Sequence, residues 1–261
     1  MMQRRTFLAA AGAAATTLGA MQKVQGEDAA APRQLYELRQ YIVSSPEQRA
    51  GLETYLNEAA VPAWNRAGIK PVGVFVPAEG NSPVYVLLPH SSLESVAATT
   101  QKLLADEEHV KKGAALLNAP KDKPAFDRME SSLLLAFKGM PSLETPVKNP
   151  GRVFQLRIYE SPSVKTGQKK IEMFNEAGEI KIFRRVGLNP VFFGESIVGS
   201  KMPNLTYMLG FESNEAQAAG WKKFLADPDW LKLRGMDEYA DKNILSNITN
   251  LPLKPTEFSQ I

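Results

Sequence analysis

Leu35-Tyr36-Glu37-Leu38-Arg39-Gln40-Tyr41 and Val153-Phe154-Gln155-Leu156-Arg157-Ile158-Tyr159 are two versions of one stretch. Each alternates in character from residue to residue, the period of a strand with two different faces. Glu37, Arg39 and Tyr41 share one face of the first version. Gln155, Arg157 and Tyr159 share the same face of the second. Whatever follows each stretch can therefore be compared position by position.

After the first strand, Ser45-Pro46-Glu47-Gln48 opens a helix: Ser45 can cap it and Pro46 suits its first turn. Leu52, Tyr55, Leu56 and Ala59 form its apolar stripe, Pro62 should kink or restart it, and Gly68 should end it. Val72–Val76 and Val84–Leu88 read as a hairpin. Ser91-Ser92-Leu93-Glu94 begins a helix to about Leu104, Asp106-Glu107-Glu108 begins a shorter one, and Met129–Phe137 reads as a strand. The order is β-α-β-β-α-β, the ferredoxin-like pattern.

The pattern then returns. Leu38-Arg39 and Asn57-Glu58-Ala59 reappear as Leu156-Arg157 and Asn175-Glu176-Ala177, both displaced by 118 residues. Arg66, Gly68 and Pro71 match Arg185, Gly187 and Pro190, and Leu104-Ala105-Asp106 matches Leu225-Ala226-Asp227. In the second copy the hairpin is Val191–Glu195 with Leu205–Phe211. Helices start near Ser213 and Asp227-Pro228, and a last strand near Ile244–Asn250 is followed by a tail from Leu251 to Phe258. The expected organisation is a first repeat at 33–138, a linker at 139–151 rich in Pro and Gly, and a second repeat at 152–261.

A four-stranded sheet with helices on one side leaves its other side bare, and two such units can cover each other. The expected fold class is α+β: two ferredoxin-like repeats packed sheet to sheet as a pseudo-dimeric α+β barrel. By apolar content, Tyr36 and Leu38, with Phe154, Leu156 and Ile158, should face the helices. Glu37, Arg39 and Tyr41, with Gln155, Arg157 and Tyr159, should then point between the sheets. A buried Arg needs a partner, and Glu37, Glu58 and Glu176 are candidates. Arg39, Tyr41, Arg157, Tyr159 and Glu37 are therefore the candidate ligand-binding residues, with Arg clamping an oxyanion and Tyr donating a hydrogen bond. A structural polar network is the alternative.

Composition narrows the chemistry. No cysteine means no disulfide, thiolate metal site or cysteine nucleophile. Two histidines, His90 and His109, exclude a three-histidine metal site. His90 reads as a loop residue and His109 as part of a solvated helix face. Trp64, Trp221 and Trp230 read as core, and Arg184-Arg185 as basic residues near a helix end. No phosphate loop, dinucleotide fingerprint or Gly-x-Ser-x-Gly elbow is present, so no cofactor or metal is expected. The net charge of +3 comes from Arg4, Arg5 and Lys23: beyond residue 26 there are 28 basic and 28 acidic side chains. A neutral body gives no electrostatic reason to bind nucleic acid or anionic lipid.

Residues 1–26 read as a leader. Gln3-Arg4-Arg5-Thr6-Phe7-Leu8 precedes an Ala-rich run, which resembles a twin-arginine export signal. That implies a bacterial periplasmic or extracellular protein, without stable membrane insertion once the leader is removed.

Tyr36-Glu37-Leu38-Arg39-Gln40-Tyr41, the helix carrying Asn57-Glu58-Ala59, the Gly68–Phe75 passage and the closing Leu251-Pro252-Leu253 to Phe258-Ser259 together resemble the NIPSNAP family. Leu156-Arg157-Ile158-Tyr159 extends the resemblance to the second copy, which departs from it at Phe154-Gln155. The resemblance implies the dimeric α+β barrel fold. It is compatible with a protein that binds a small apolar or carbonyl-containing ligand between its sheets. A cofactor-independent oxygenase or isomerase, and a protein-interaction module, are the alternatives. Tandem repeats allow a monomer, and free sheet edges would allow a homodimer.

Overall fold

The strands of the first repeat are β1 (Leu35–Ile42), β2 (Gly73–Pro77), β3 (Val84–His90) and β4 (Arg128–Ala136). Those of the second are β5 (Val153–Glu160), β6 (Asn189–Val198), β7 (Asn204–Phe211) and β8 (Asn247–Pro255). In the computed structural model, which describes residues 32–261, they close into an antiparallel barrel in the order β1-β3-β2-β8-β5-β7-β6-β4. The leader expected at 1–26 lies outside the described residues. Each repeat supplies four strands in the same relative order, and the seams β2–β8 and β4–β6 join the two. Among the described residues every strand has two neighbours, so the barrel leaves none of the free sheet edges allowed for above. Closure removes them.

Helices cover the outside of both halves. Ser45 caps α1 (Pro46–Tyr55) by accepting from Gln48 N–H. A widened, π-helical turn at Leu56–Ala60 leads into α2 (Val61–Arg66), which restarts the helix with Pro62 in its first turn, one of the two outcomes expected there. Pro62 has no N–H to give the preceding turn, and a wider turn absorbs that loss. Gly68, at φ +84°, follows α2 as the reversal expected there. Ser92 caps α3 (Leu93–Leu104). Next come α4 (Glu107–Lys112), capped by Asp106, and the short α5 (Ala114–Leu117). The second repeat adds α6 (Val164–Asn175), α7 (Glu179–Val186), α8 (Asn214–Ala226), α9 (Pro228–Arg234) and α10 (Asp241–Ile244).

Two segments turn out to be structural. The tail from Leu251 continues β8, which pairs with β5 and then, through Leu253–Pro255, with β2. Beyond it Ser259 Oγ and Gln260 Oε1 accept from Val74 N–H and Val72 N–H, at 3.0 and 2.8 Å. The linker is packed as well. Met140 and Val147 are buried, and Glu144 N–H donates to the Val191 carbonyl.

The side chains divide into one inner cluster and two outer ones. All eight strands contribute to the inner cluster, which also includes Ile261. Rings meet there across the two repeats: Tyr36 lies 5.0 Å from Phe192, and Phe75 lies 4.9 Å from Phe154. Tyr36, Leu38, Phe154 and Leu156 therefore line the barrel interior, opposite to the phase expected above. Tyr41 and Tyr159 belong to the two outer clusters, beneath the helices. The physical reason is that both sides of each sheet are buried. Apolar content then cannot tell inside from outside, and the enclosed interior is the drier of the two.

Candidate functional site

The Arg–Tyr faces form two stations between sheet and helices, one per repeat. In the first, Glu37 and Arg39 lie two residues apart on one strand face and pair in a fork. Arg39 Nε donates to Glu37 Oε1 at 2.7 Å and Nη2 donates to Oε2 at 3.0 Å. Ser131 stands opposite Arg39 on β4 and donates to Glu37 Oε1 at 2.9 Å. His90 Nε2 lies 3.5 Å from Oε2. The guanidinium lies 5.6 Å from the Trp64 ring, within cation–π range. Burial pushes the Glu37 carboxyl up, but the contacts from His90, Arg39 and Ser131 outweigh it and hold its pKa at about 2.

Both histidines are buried, which corrects two expectations. His90 ends β3 rather than sitting in a loop. His109 faces inward from α4 instead of lying on a solvated face. Its Nδ1–H donates to the Leu103 carbonyl at 2.8 Å, so Nε2 accepts from Tyr55 O–H at 3.0 Å.

The second station has the same address and different chemistry. Arg157 faces Tyr207 across the β5–β7 pair, where Arg39 faces Val86. Gln155 replaces Glu37 and is held from both ends. Trp221 Nε1–H donates to its Oε1, and its Nε2–H donates to Asn250 Oδ1, both at 2.7 Å. Arg157 lies 4.9 Å from the Trp221 ring and 5.3 Å from the Tyr159 ring. Its Nε is buried without a hydrogen-bond partner, and no carboxylate pairs with it among the described residues. Tyr159 and Tyr207 share a hydroxyl–hydroxyl hydrogen bond of 2.9 Å.

Beneath Tyr159 lies a feature that the sequence reading missed. Lys170 is fully buried, with Nζ 3.4 Å from Glu179 Oε2, 3.5 Å from Asp241 Oδ1 and 5.6 Å from the Tyr159 ring. Burial pushes the Glu179 carboxyl up to about 7, against the pull of Lys170. Lys170 shares a helical stripe with Met173 and Phe174, and a lysine in an apolar stripe was the available signal. Glu179 gave none, because an acid in a helix's first turn is ordinary.

The remaining candidates are accounted for. Glu58 and Glu176 are exposed and pair with neither arginine. Arg184 pairs with Glu144, and Arg185 with Asp227 and Asp229. The expected pocket between the sheets is replaced by the packed inner cluster. A cleft of about 660 Å³ does exist, but it lies between Ser44–Gly51 and Ala115–Ala125, where neither arginine lines it. Among the described residues no three His, Asp or Glu side chains converge in metal-binding geometry.

The NIPSNAP family profile matches residues 36–141 and 154–260. This chain belongs to the NIPSNAP family. The two matches coincide with the two halves of the barrel, so each NIPSNAP repeat carries one Arg–Tyr station. Among solved structures, a candidate monooxygenase from Lactobacillus acidophilus NCFM is 9% identical, with a TM-score of 0.59. The match covers 85% of this chain and 94% of that one. Another candidate monooxygenase, from Fusobacterium nucleatum, is 6% identical, with a TM-score of 0.57 and coverage of 86% and 93%. An uncharacterised NIPSNAP-like domain protein from Burkholderia xenovorans is 21% identical over 43% of this chain and 92% of its own, with a TM-score of 0.38. No curated protein matches. The two full-length likenesses establish a shared α+β barrel fold.

Proposed function

We propose that this NIPSNAP protein binds a small ligand bearing a carboxylate or polarised carbonyl, held by Arg157 on the helix-facing side of the second repeat. The observation that carries this reading is the difference between the two arginines. A buried guanidinium is costly unless paired. Arg39 is satisfied internally by Glu37, whereas Arg157 faces Gln155, whose amide is already engaged by Trp221 and Asn250. A ligand oxygen would supply the missing acceptor, and the Trp221 and Tyr159 rings would give its body apolar contact.

The test is to screen thermal stabilisation of the full chain by a panel of small aliphatic and aromatic carboxylates. We expect Arg157→Met to remove any stabilisation. We expect Gln155→Glu to restore the internal fork, raising the melting temperature without ligand and abolishing the response to it. Retention of binding in Gln155→Glu would sink the reading.

Glu179 favours a second reading, a cofactor-independent isomerase or oxygenase. Burial raises the Glu179 carboxyl above the ordinary carboxylate range, the direction that suits a group moving a proton near neutral pH. On that reading Glu179→Gln should abolish solvent-deuterium exchange into a bound ketone while leaving its affinity within a few-fold. Equal exchange in both proteins would exclude Glu179 as the base.

A further inference from the structure

The first repeat holds an arrangement that pairing with Arg39 does not explain. The His90 imidazole is fully buried. Its Nδ1 lies 3.0 Å from Ser95 Oγ, and its Nε2 faces Glu37 Oε2 at 3.5 Å. Glu37 is fixed from its other side by Arg39 and Ser131. Ser95 sits in the first turn of α3, where the cap is made by Ser92 accepting from Ser95 N–H. The Ser95 hydroxyl is thus not needed for capping. The residue is half-buried, so it stands at the protein's edge with a dry imidazole behind it.

The second repeat builds the same elements without any of the three. Gln155 stands for Glu37. Phe211, paired with Val153, stands for His90, which is paired with Leu35. Ala216, whose N–H donates to the cap Ser213, stands for Ser95. Strand register and helix capping therefore require none of them, yet they occur together.

We infer that Ser95, His90 and Glu37 form a nucleophile, a base and an orienting carboxylate for acyl transfer from activated esters. With the proton on Nε2, the ring nitrogen 3.5 Å from Glu37, Nδ1 accepts from Ser95 O–H. Ser95 Oγ attacks the ester carbonyl carbon and its proton passes to Nδ1. The bond to the alcohol oxygen then breaks, and the alcohol leaves with that proton. Water attacks the acyl-serine by the same route, so ester and water become acid and alcohol with no oxidant or reductant. His90 Nε2 makes no hydrogen bond at rest. Glu37 Oε2, 3.5 Å away with a lone pair beyond the one that Arg39 Nη2–H uses, is the acceptor that steadies the imidazolium once Nδ1 has taken the proton. Only the serine is near the surface, so the substrates are small or extended acyl groups.

The full chain should be treated with a fluorophosphonate probe and, separately, with p-nitrophenyl acetate. We expect phosphonylation at Ser95, read by peptide mass spectrometry, and its loss in Ser95→Ala, which installs the residue the second repeat carries. His90→Asn should slow labelling by about 100-fold or more. Circular-dichroism melting of each variant separates loss of base from loss of fold. Because His90 is buried, Glu37→Gln provides a second variant, expected to reduce the rate. A folded wild-type protein that takes no label overturns the proposal. So does labelling that persists in Ser95→Ala, or rates unchanged in folded His90→Asn and Glu37→Gln.

Discussion

One residue decides how each arginine is used. Glu37 closes a fork on Arg39, and Gln155 leaves Arg157 open. The side chains of the first pair are 14% and 11% exposed, so water screens them little. Glu37 has a folded pKa of about 2 against an ordinary 4.5. A depressed carboxylate contributes fully above its unfolded pKa and loses that contribution as pH falls through the folded value. At about 1.4 kcal/mol per unit, its ionised form adds on the order of 3 kcal/mol at neutral pH. We expect Glu37→Gln to lose roughly that amount in urea unfolding at neutral pH, with the gap to wild type closing between about pH 4.5 and 2. A gap unchanged at about pH 3 would mean that the loss is packing rather than charge. The Arg–Tyr pairs and the Glu37/Gln155 difference were legible in the sequence. The buried environment of His109 was not, because Asp106, Glu107, Glu108, Lys111 and Lys112 surround it in sequence and leave only its one face turned inward.

At the scale of elements, caps and strand periods carried well. Ser45, Asp106, Ser213 and Asp227 all cap helices where their spacing placed them. What alternation could not supply was the side. A strand covered on both faces is apolar on both, and here the charged residues lie under the helices, where long side chains can lay their stems along rings. The closing strand was also misread. The run from Leu251 onward was expected to be a tail, yet its Leu253 is buried in the inner cluster at the β2–β8 seam. Leu253→Ala should cost about 2–5 kcal/mol, as an interior leucine does when the cavity cannot collapse. Lys254→Ala, its exposed neighbour, should stay within about 0.5 kcal/mol. Equal effects in chemical denaturation would mean that the seam contributes nothing to stability.

The whole molecule is a dimeric barrel written into one chain, and neither half is complete. The second repeat meets the first across the inner cluster, where Phe154 packs on Phe75 and Phe192 on Tyr36. Taken alone, residues 152–261 would expose that apolar face together with the edges of β6 and β8 that now pair with β4 and β2. Open edges and bare apolar faces recruit copies of themselves. A two-fold pair of second repeats could re-create the closed order by joining β6 to β8 of the partner. We therefore expect the isolated fragment to run as a homodimer or aggregate in size-exclusion chromatography with light scattering. Co-refolding with residues 32–151 should convert it to a one-to-one complex, because only that pairing restores the matched rings and both native seams. The linker strengthens this expectation, since Met140 and Val147 are buried and travel with the first fragment as part of its docking surface. A soluble, folded monomer of residues 152–261 would contradict it. The helix-facing cluster of the second repeat would then be enough to hold that half together, and the inner cluster would serve to orient the two stations rather than to stabilise the barrel.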